Sequence, residues 1–147
     1  HEEGLWHLPI HFDGVTGFEP VVDSELDAQI EGLYHESMRS GEEGGENRAH
    51  TGRHLLSHLR DEGASLLEAG ASDWVVFARE DGYDGDEAYF LHHILQFVET
   101  ELSTHPDLDR EAFANWMATR RRQVNEGTLI YIAHQLDVLA MGGGKQK

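Results

Sequence analysis

Leu129-Ile130-Tyr131-Ile132-Ala133-His134-Gln135-Leu136-Asp137-Val138-Leu139 is the stretch on which the fold turns. Apolar residues run through it with hardly a break. That is the pattern of a strand lying inside a sheet, not of an edge strand with one wet face. Working back from it, Phe113, Trp116, Met117 and Val124 recur at helical spacing, with Asp109 placed to cap the helix and Gly127 to end it. Before that, Asp84-Gly85-Asp86-Glu87 opens a helix whose Phe90, Leu91, Ile94, Leu95, Val98 and Leu102 form a wide apolar stripe, closed by His105-Pro106.

Upstream the period changes. Ala64 to Arg79 reads as one strand, with Leu66-Leu67 and Trp74-Val75-Val76-Phe77 on either side of a bulge at Gly70-Ala71-Ser72. A helix carrying Leu55, Leu56 and Leu59 precedes it and ends at Gly63. The polar, glycine-rich run 40–47 reads as a flexible loop. Before the loop, Leu26, Ile30, Leu33, Tyr34 and Met38 predict a helix with Ser24 as its cap. The first element, Leu5 to Phe12, reads as a strand that meets a turn at Asp13-Gly14, and Pro9 puts it at a sheet margin. The order is strand, two helices, strand, two helices, strand, which is an α/β arrangement. Three strands are few for four helices, so further strands are expected beside them.

The chain has 147 residues, the size of one domain, with residues 141–147 as a tail. It carries 28 Asp and Glu against 11 Lys and Arg, a net charge of −17, and its lysines are Lys145 and Lys147 alone. Nucleic acid and anionic membranes are poor partners for such a surface, because phosphate contacts demand dense positive charge. Acidic side chains in place of lysine keep a protein hydrated in concentrated salt, so a salt-adapted, halophilic source is expected. There is no cysteine, which removes disulfides and thiolate chemistry. No apolar run reaches membrane-spanning length, and no basic leader precedes an apolar stretch, so the cytoplasm is the expected compartment. The first residue is His1 and the earliest methionine Met38, which suggests an excised piece of something longer.

Gly142-Gly143-Gly144 has no helix to follow it, so it is a tail and not a phosphate loop. No Gly-x-Ser-x-Gly elbow occurs. His50, His54 and His58 recur every four residues, the spacing of helical metal ligands, but with no cysteine and no carboxylate at a metalloprotease position they read as an exposed face, and no metal is expected. Of His92 and His93, one should face inward and the other outward. The acids from Glu80 to Glu87 miss the EF-hand spacing and read as solvated. Arg120-Arg121-Arg122, at the end of a helix, read as charges that complement its dipole.

Four segments carry a resemblance: Phe12-Asp13-Gly14-Val15-Thr16-Gly17-Phe18-Glu19-Pro20, Ala71-Ser72-Asp73-Trp74-Val75-Val76, Asp86-Glu87-Ala88-Tyr89-Phe90-Leu91-His92 and Tyr131-Ile132-Ala133-His134-Gln135-Leu136-Asp137. Together they resemble the C-terminal half of a bacterial group of class I S-adenosylmethionine-dependent methyltransferases, over about Leu5 to Leu139. The resemblance implies a partial Rossmann-like methyltransferase sheet. Leu5 to Phe12, Ala64 to Arg79 and Leu129 to Leu139 would be its last three strands, the final one antiparallel and inserted between the other two. The helical pair between Asp86 and Glu126 would be an insertion at the rim where ligands bind.

The family's glycine-rich cofactor loop and ribose-binding acid have no counterpart in these residues. The resemblance therefore implies a substrate-side portion, inactive alone, whose longer parent binds S-adenosylmethionine while this chain contributes no cofactor contact. Tyr83, Tyr89, Phe90, His93 and Trp116 are the expected substrate wall for a small-molecule methyl acceptor. The competing reading puts all five in the core, and for Phe90 and Trp116 it is the preferred one. The other class of function is a stand-alone acidic binding or assembly module without catalytic activity. Leu5, Leu8, Ile10 and Phe12, on a strand expected at the sheet edge, predict a homo-oligomer.

Overall fold

The computed structural model describes residues 4–39 and 50–142, the side chains of Ile10 and Arg39 excepted. The expected loop 40–47 and all but the start of the expected tail lie outside the described residues. Within them the elements are β1 (Leu5–Glu19), α1 (Ser24–Arg39), α2 (Thr51–Asp61), β2 (Ser65–Ala71), β3 (Trp74–Val76), α3 (Glu87–Leu102), α4 (Arg110–Asn125) and β4 (Ile130–Met141). They form an α/β fold with an open antiparallel sheet in the order β1-β4-β2, in which β3 also pairs with β4. The last strand thus stands between the first and the second, antiparallel to β2 from Ser65 opposite Met141 to Ala71 opposite Leu136. The start of β1 meets the end of β4, where the Gly142 N–H donates to Gly4 O at 2.9 Å.

β4 explains its own sequence. Tyr131, Ala133 and Gln135 are buried on one face, and from Val138 and Ala140 onward the buried positions fall on the other. A strand covered first on one side and then on the other has no room for a polar alternation. The strand expected over Ala64 to Arg79 is shorter and interrupted: β2 and β3 are separated by Ser72 and Asp73, and the irregularity of register lies between Leu66 and Glu68. The gap is bridged. Ser72 N–H donates to Gln135 O at 3.0 Å, its hydroxyl to Asp137 Oδ1 at 2.8 Å, and His134 Nδ1 meets Asp73 Oδ1 at 2.7 Å.

The first strand does not end at Asp13-Gly14. Gly14 sits inside β1 at φ 72°, a backbone conformation open to glycine at little cost, and pairing continues to Glu19. Asp13 is buried for a tertiary reason: it accepts from Arg53 N–H at 2.9 Å, from Nε at 2.8 Å and from Nη2 at 2.6 Å. Its carbonyl meets His50 Nδ1 at 3.0 Å. Asp13 therefore fastens the first turn of α2 to β1. Burial works to raise its carboxyl pKa, but the Arg53 hydrogen bonds and charge outweigh this and hold it below the usual carboxylate value.

Contacts group the chain into two compact units, residues 1–15, 39–74 and 133–147 in the first and 16–38 with 75–132 in the second. The first unit centres on Leu59, Ala64, Val138 and Ala140, with Leu8, Leu55, Leu56 and Leu66 packed against them. Leu8 therefore faces a core and not an open edge, while Leu5 and Trp6 are exposed. In the second unit Leu91, Leu95, Val98 and Leu102 of α3 are buried, as are Phe113, Trp116, Met117 and Val124 of α4. Asp109 caps α4 as expected, accepting from Ala112 N–H at 2.8 Å. At α1 the cap is Asp23 and not Ser24, with Oδ1 accepting from the N–H groups of Glu25 and Leu26, each at 3.0 Å.

Candidate functional site

Side chains of two helices converge on one stretch of main chain at the end of β1. At the carboxyl end of β1 the chain runs Thr16-Gly17-Phe18-Glu19-Pro20-Val21-Val22-Asp23 into α1. Side chains one helical turn apart on α1 reach back to this segment. His35 Nε2 accepts from Thr16 N–H at 2.9 Å and lies 3.1 Å from both the Thr16 hydroxyl and its carbonyl oxygen. Glu31 accepts from Phe18 N–H at 3.2 Å, and Asp27 Oδ2 accepts from Val22 N–H at 2.7 Å and Asp23 N–H at 3.2 Å. Residues at i, i+4 and i+8 share a helix face, which is why these three act on one strand end.

α4 supplies the other side of the grip. Arg120, fully buried, donates from Nη2 to Asp27 Oδ1 at 2.7 Å and from Nη1 to Pro20 O at 2.7 Å and Gln123 Oε1 at 3.0 Å. A longer contact of 3.5 Å reaches Phe18 O. The guanidinium lies 5.0 Å from the Trp116 ring centroid and 5.7 Å from that of Phe18, within cation–π range. Trp116 Nε1 also donates to Asp27 Oδ1. Arg120 Nε alone has no partner.

The electrostatics follow from this packing. For Asp27, burial raises the pKa, but the Trp116 and Val22 hydrogen bonds and the Arg120 charge outweigh it, so the carboxyl sits below its ordinary value. Glu31 goes the other way: burial lifts it, the Phe18 hydrogen bond opposes, and the Asp27 charge adds to the rise. Burial and the nearby Tyr34 push the Tyr131 hydroxyl up as well. The arrangement fixes a turn by its main chain and leaves Glu19, Val21 and Val22 facing out.

The five expected wall residues do not come together. Trp116 is core, as described. Phe90 packs edge-on against Tyr131 at 5.6 Å, and the Tyr83 hydroxyl donates to Leu129 O at 2.6 Å. Tyr89 and His93 do meet, on the solvent face of α3, with rings stacked at 6.3 Å; His93 in turn meets Phe97 edge-on at 4.5 Å. His92 points the other way, 3.0 Å from Asn125 Oδ1.

The arginine run is also redistributed. Arg120 is buried against Asp27 and Arg121 pairs with Glu99 at 2.6 Å, while Arg122 stands in the last turn of α4, where its charge complements the helix dipole, 4.0 Å from Glu126. The sequence signal for the α1 grip is the four-residue spacing of Asp27, Glu31 and His35, which the apolar spacing of α1 does not reveal.

Among the described residues no group of three or more His, Asp or Glu side chains is placed to hold a metal ion. His50, His54 and His58 form a ladder with ring centroids 6.3 and 6.4 Å apart. In the first unit a groove of about 300 Å³ is lined by Leu56, Arg60, Leu66, Leu67, Glu68 and Ala69, with few polar groups converging on it. Among the described residues no helix is long and apolar enough to cross a membrane. No protein-family model, curated protein or solved structure matches this chain.

Proposed function

We propose that this chain is the C-terminal, substrate-side portion of a cytoplasmic class I S-adenosylmethionine-dependent methyltransferase. The observation that carries the reading is the strand order β1-β4-β2, with the last strand antiparallel and between the other two. It is the arrangement expected of the final three strands of that fold. On this reading the clamped turn at the carboxyl end of β1 belongs to the rim of the longer protein's sheet, where ligands bind. No glycine-rich loop between strand and helix occurs in the sequence, so cofactor contacts belong to other residues of a longer protein. The net charge of −17 favours a small-molecule methyl acceptor over nucleic acid.

The test is calorimetric titration of S-adenosylmethionine into this chain and into the longer protein containing it. The expected result is affinity no tighter than about millimolar for the chain and about micromolar for the longer protein. Micromolar binding by the chain alone would overturn the incomplete-site reading. Failure of the longer protein to bind would overturn the methyltransferase reading in favour of an acidic binding or assembly module.

A further inference from the structure

α3 carries a second feature, on its solvent face. Asp86, Tyr89, His93, Phe97 and Glu101 follow one another at intervals of three or four residues, and every one is exposed. They form a single stripe about 22 Å long at the helical rise. Its middle is aromatic and ordered: Tyr89 is 75% and Phe97 47% exposed, and both meet the His93 ring, stacked on one side and edge-on on the other. The buried side chains of α3, Leu91, Leu95, Val98 and Leu102, lie on its other face, so core packing does not account for these rings. Ring faces already held in a row cost little entropy to cover.

We infer that this stripe seats a basic amphipathic helix of a partner protein, whose apolar side chains cover Tyr89 and Phe97 and whose Arg or Lys residues meet Asp86 and Glu101. Two facts select that occupant. Carboxylates close both ends of the stripe, and a helix laid along it places one turn against each ring and a cation at each end. A second copy of this chain is the wrong chemistry, since it brings 28 acidic residues and only 11 basic ones. The inference goes beyond the methyltransferase reading and stands or falls without it, because its test involves no cofactor.

The probe is a synthetic helical peptide of about 18 residues with a leucine stripe closed by arginines at both ends, titrated by calorimetry at about 0.15 M and about 1 M salt. A counterpart with glutamate in place of arginine is the control. The arginine peptide is expected to bind at least tenfold more tightly than the glutamate peptide at low salt. Tyr89→Ala and Phe97→Ala should each weaken it about fivefold or more at both salts, as lost aromatic anchors do. Asp86→Asn with Glu101→Gln should weaken it at low salt only. Asp86 makes no capping hydrogen bond through its side chain, so its loss leaves the helix start intact. The charge-matched pair Glu80→Gln with Asp81→Asn, off the stripe, should leave affinity within about twofold. Equal loss in that control, binding of both peptides alike, or stripe variants indistinguishable from the parent chain would overturn the proposal. So would self-association that Phe97→Ala abolishes, since the stripe would then be taken by a second copy.

Discussion

Arg120 and Asp27, 93 residues apart in sequence, meet at 2.7 Å with the guanidinium wholly buried. Removing one partner leaves the other as an uncompensated buried charge. Asp27→Asn and Arg120→Met are each expected to destabilise the fold by about 3–5 kcal/mol, and the double variant Asp27→Asn with Arg120→Met by less than the two losses added. Denaturant melts of the four proteins check this. Additive losses would mean that the pair is not coupled.

Acid stability carries opposite signs at neighbouring groups. Asp27 and Asp13 titrate below their ordinary 3.8 in the folded chain, so each stabilises the fold above pH 3.8, and that contribution is lost as pH falls through its folded value. Glu31 titrates above its ordinary 4.5, so its ionisation costs stability, and the cost is relieved as pH falls through its folded value toward 4.5. Glu31→Gln, which keeps an acceptor for Phe18 N–H, should therefore match or exceed the parent at neutral pH, with the advantage gone below 4.5. Asp27→Asn should show the shallower decline at the acid end. Thermal melts across pH read both.

Gly52 and Gly32 make a paired test of close approach. A Cβ at Gly52 would lie 2.8 Å from His11 O and 3.2 Å from the Leu136 side chain, so Gly52→Ala must move backbone and should cost about 1–3 kcal/mol. A Cβ at Gly32 in α1 meets nothing within 4 Å, and Gly32→Ala should stabilise by about 0.5–1 kcal/mol. Chemical denaturation distinguishes them by sign.

At a net charge of −17 the folded chain repels itself, and screening over about 8–10 Å at physiological ionic strength relieves this. The melting temperature should rise from low to molar salt. A flat or falling curve would remove the salt-adapted interpretation.

β1 lies at the end of the sheet among the described residues and exposes Leu5 and Trp6. Sedimentation is expected to show a dimer paired through this strand, and Leu5→Lys should return it to monomer. A monomer at high concentration in the parent chain would remove the assembly reading.

What the sequence disclosed was whatever depends on near neighbours. The α3 and α4 stripes, the Asp109 cap and the apolar run of β4 are local patterns, and each stands about where its spacing puts it. Asp13-Gly14 misled because a turn and a glycine passed through inside a strand look alike locally. The difference lies in Arg53, 40 residues on, which occupies the Asp13 carboxylate. Arg120 misled for the same reason: three arginines at a helix end suit the dipole, and nothing nearby in sequence announces Asp27 or the two carbonyls of the β1 turn. Of the expected wall, Tyr89 and His93 are adjacent because they are one helical turn apart, whereas Phe90 and Trp116 were drawn inward by Tyr131 and Phe18.

The clamp on the β1 turn holds main-chain atoms. Pro20 O and Phe18 O receive Arg120, and the N–H groups of Phe18, Val22 and Asp23 reach Glu31 and Asp27. None of these bonds uses the side chain of residue 21 or 22, whereas Glu19 Oε2 accepts from Val21 N–H at 3.0 Å inside the turn. Glu19 apart, the turn is specified by its surroundings and not by its own outward letters, so positions 21 and 22 form a natural alphabet for diversification among residues other than proline. A library randomised there should keep its folded fraction while changing what the rim presents, and the same freedom would let related chains drift at the rim without disturbing the frame that carries it.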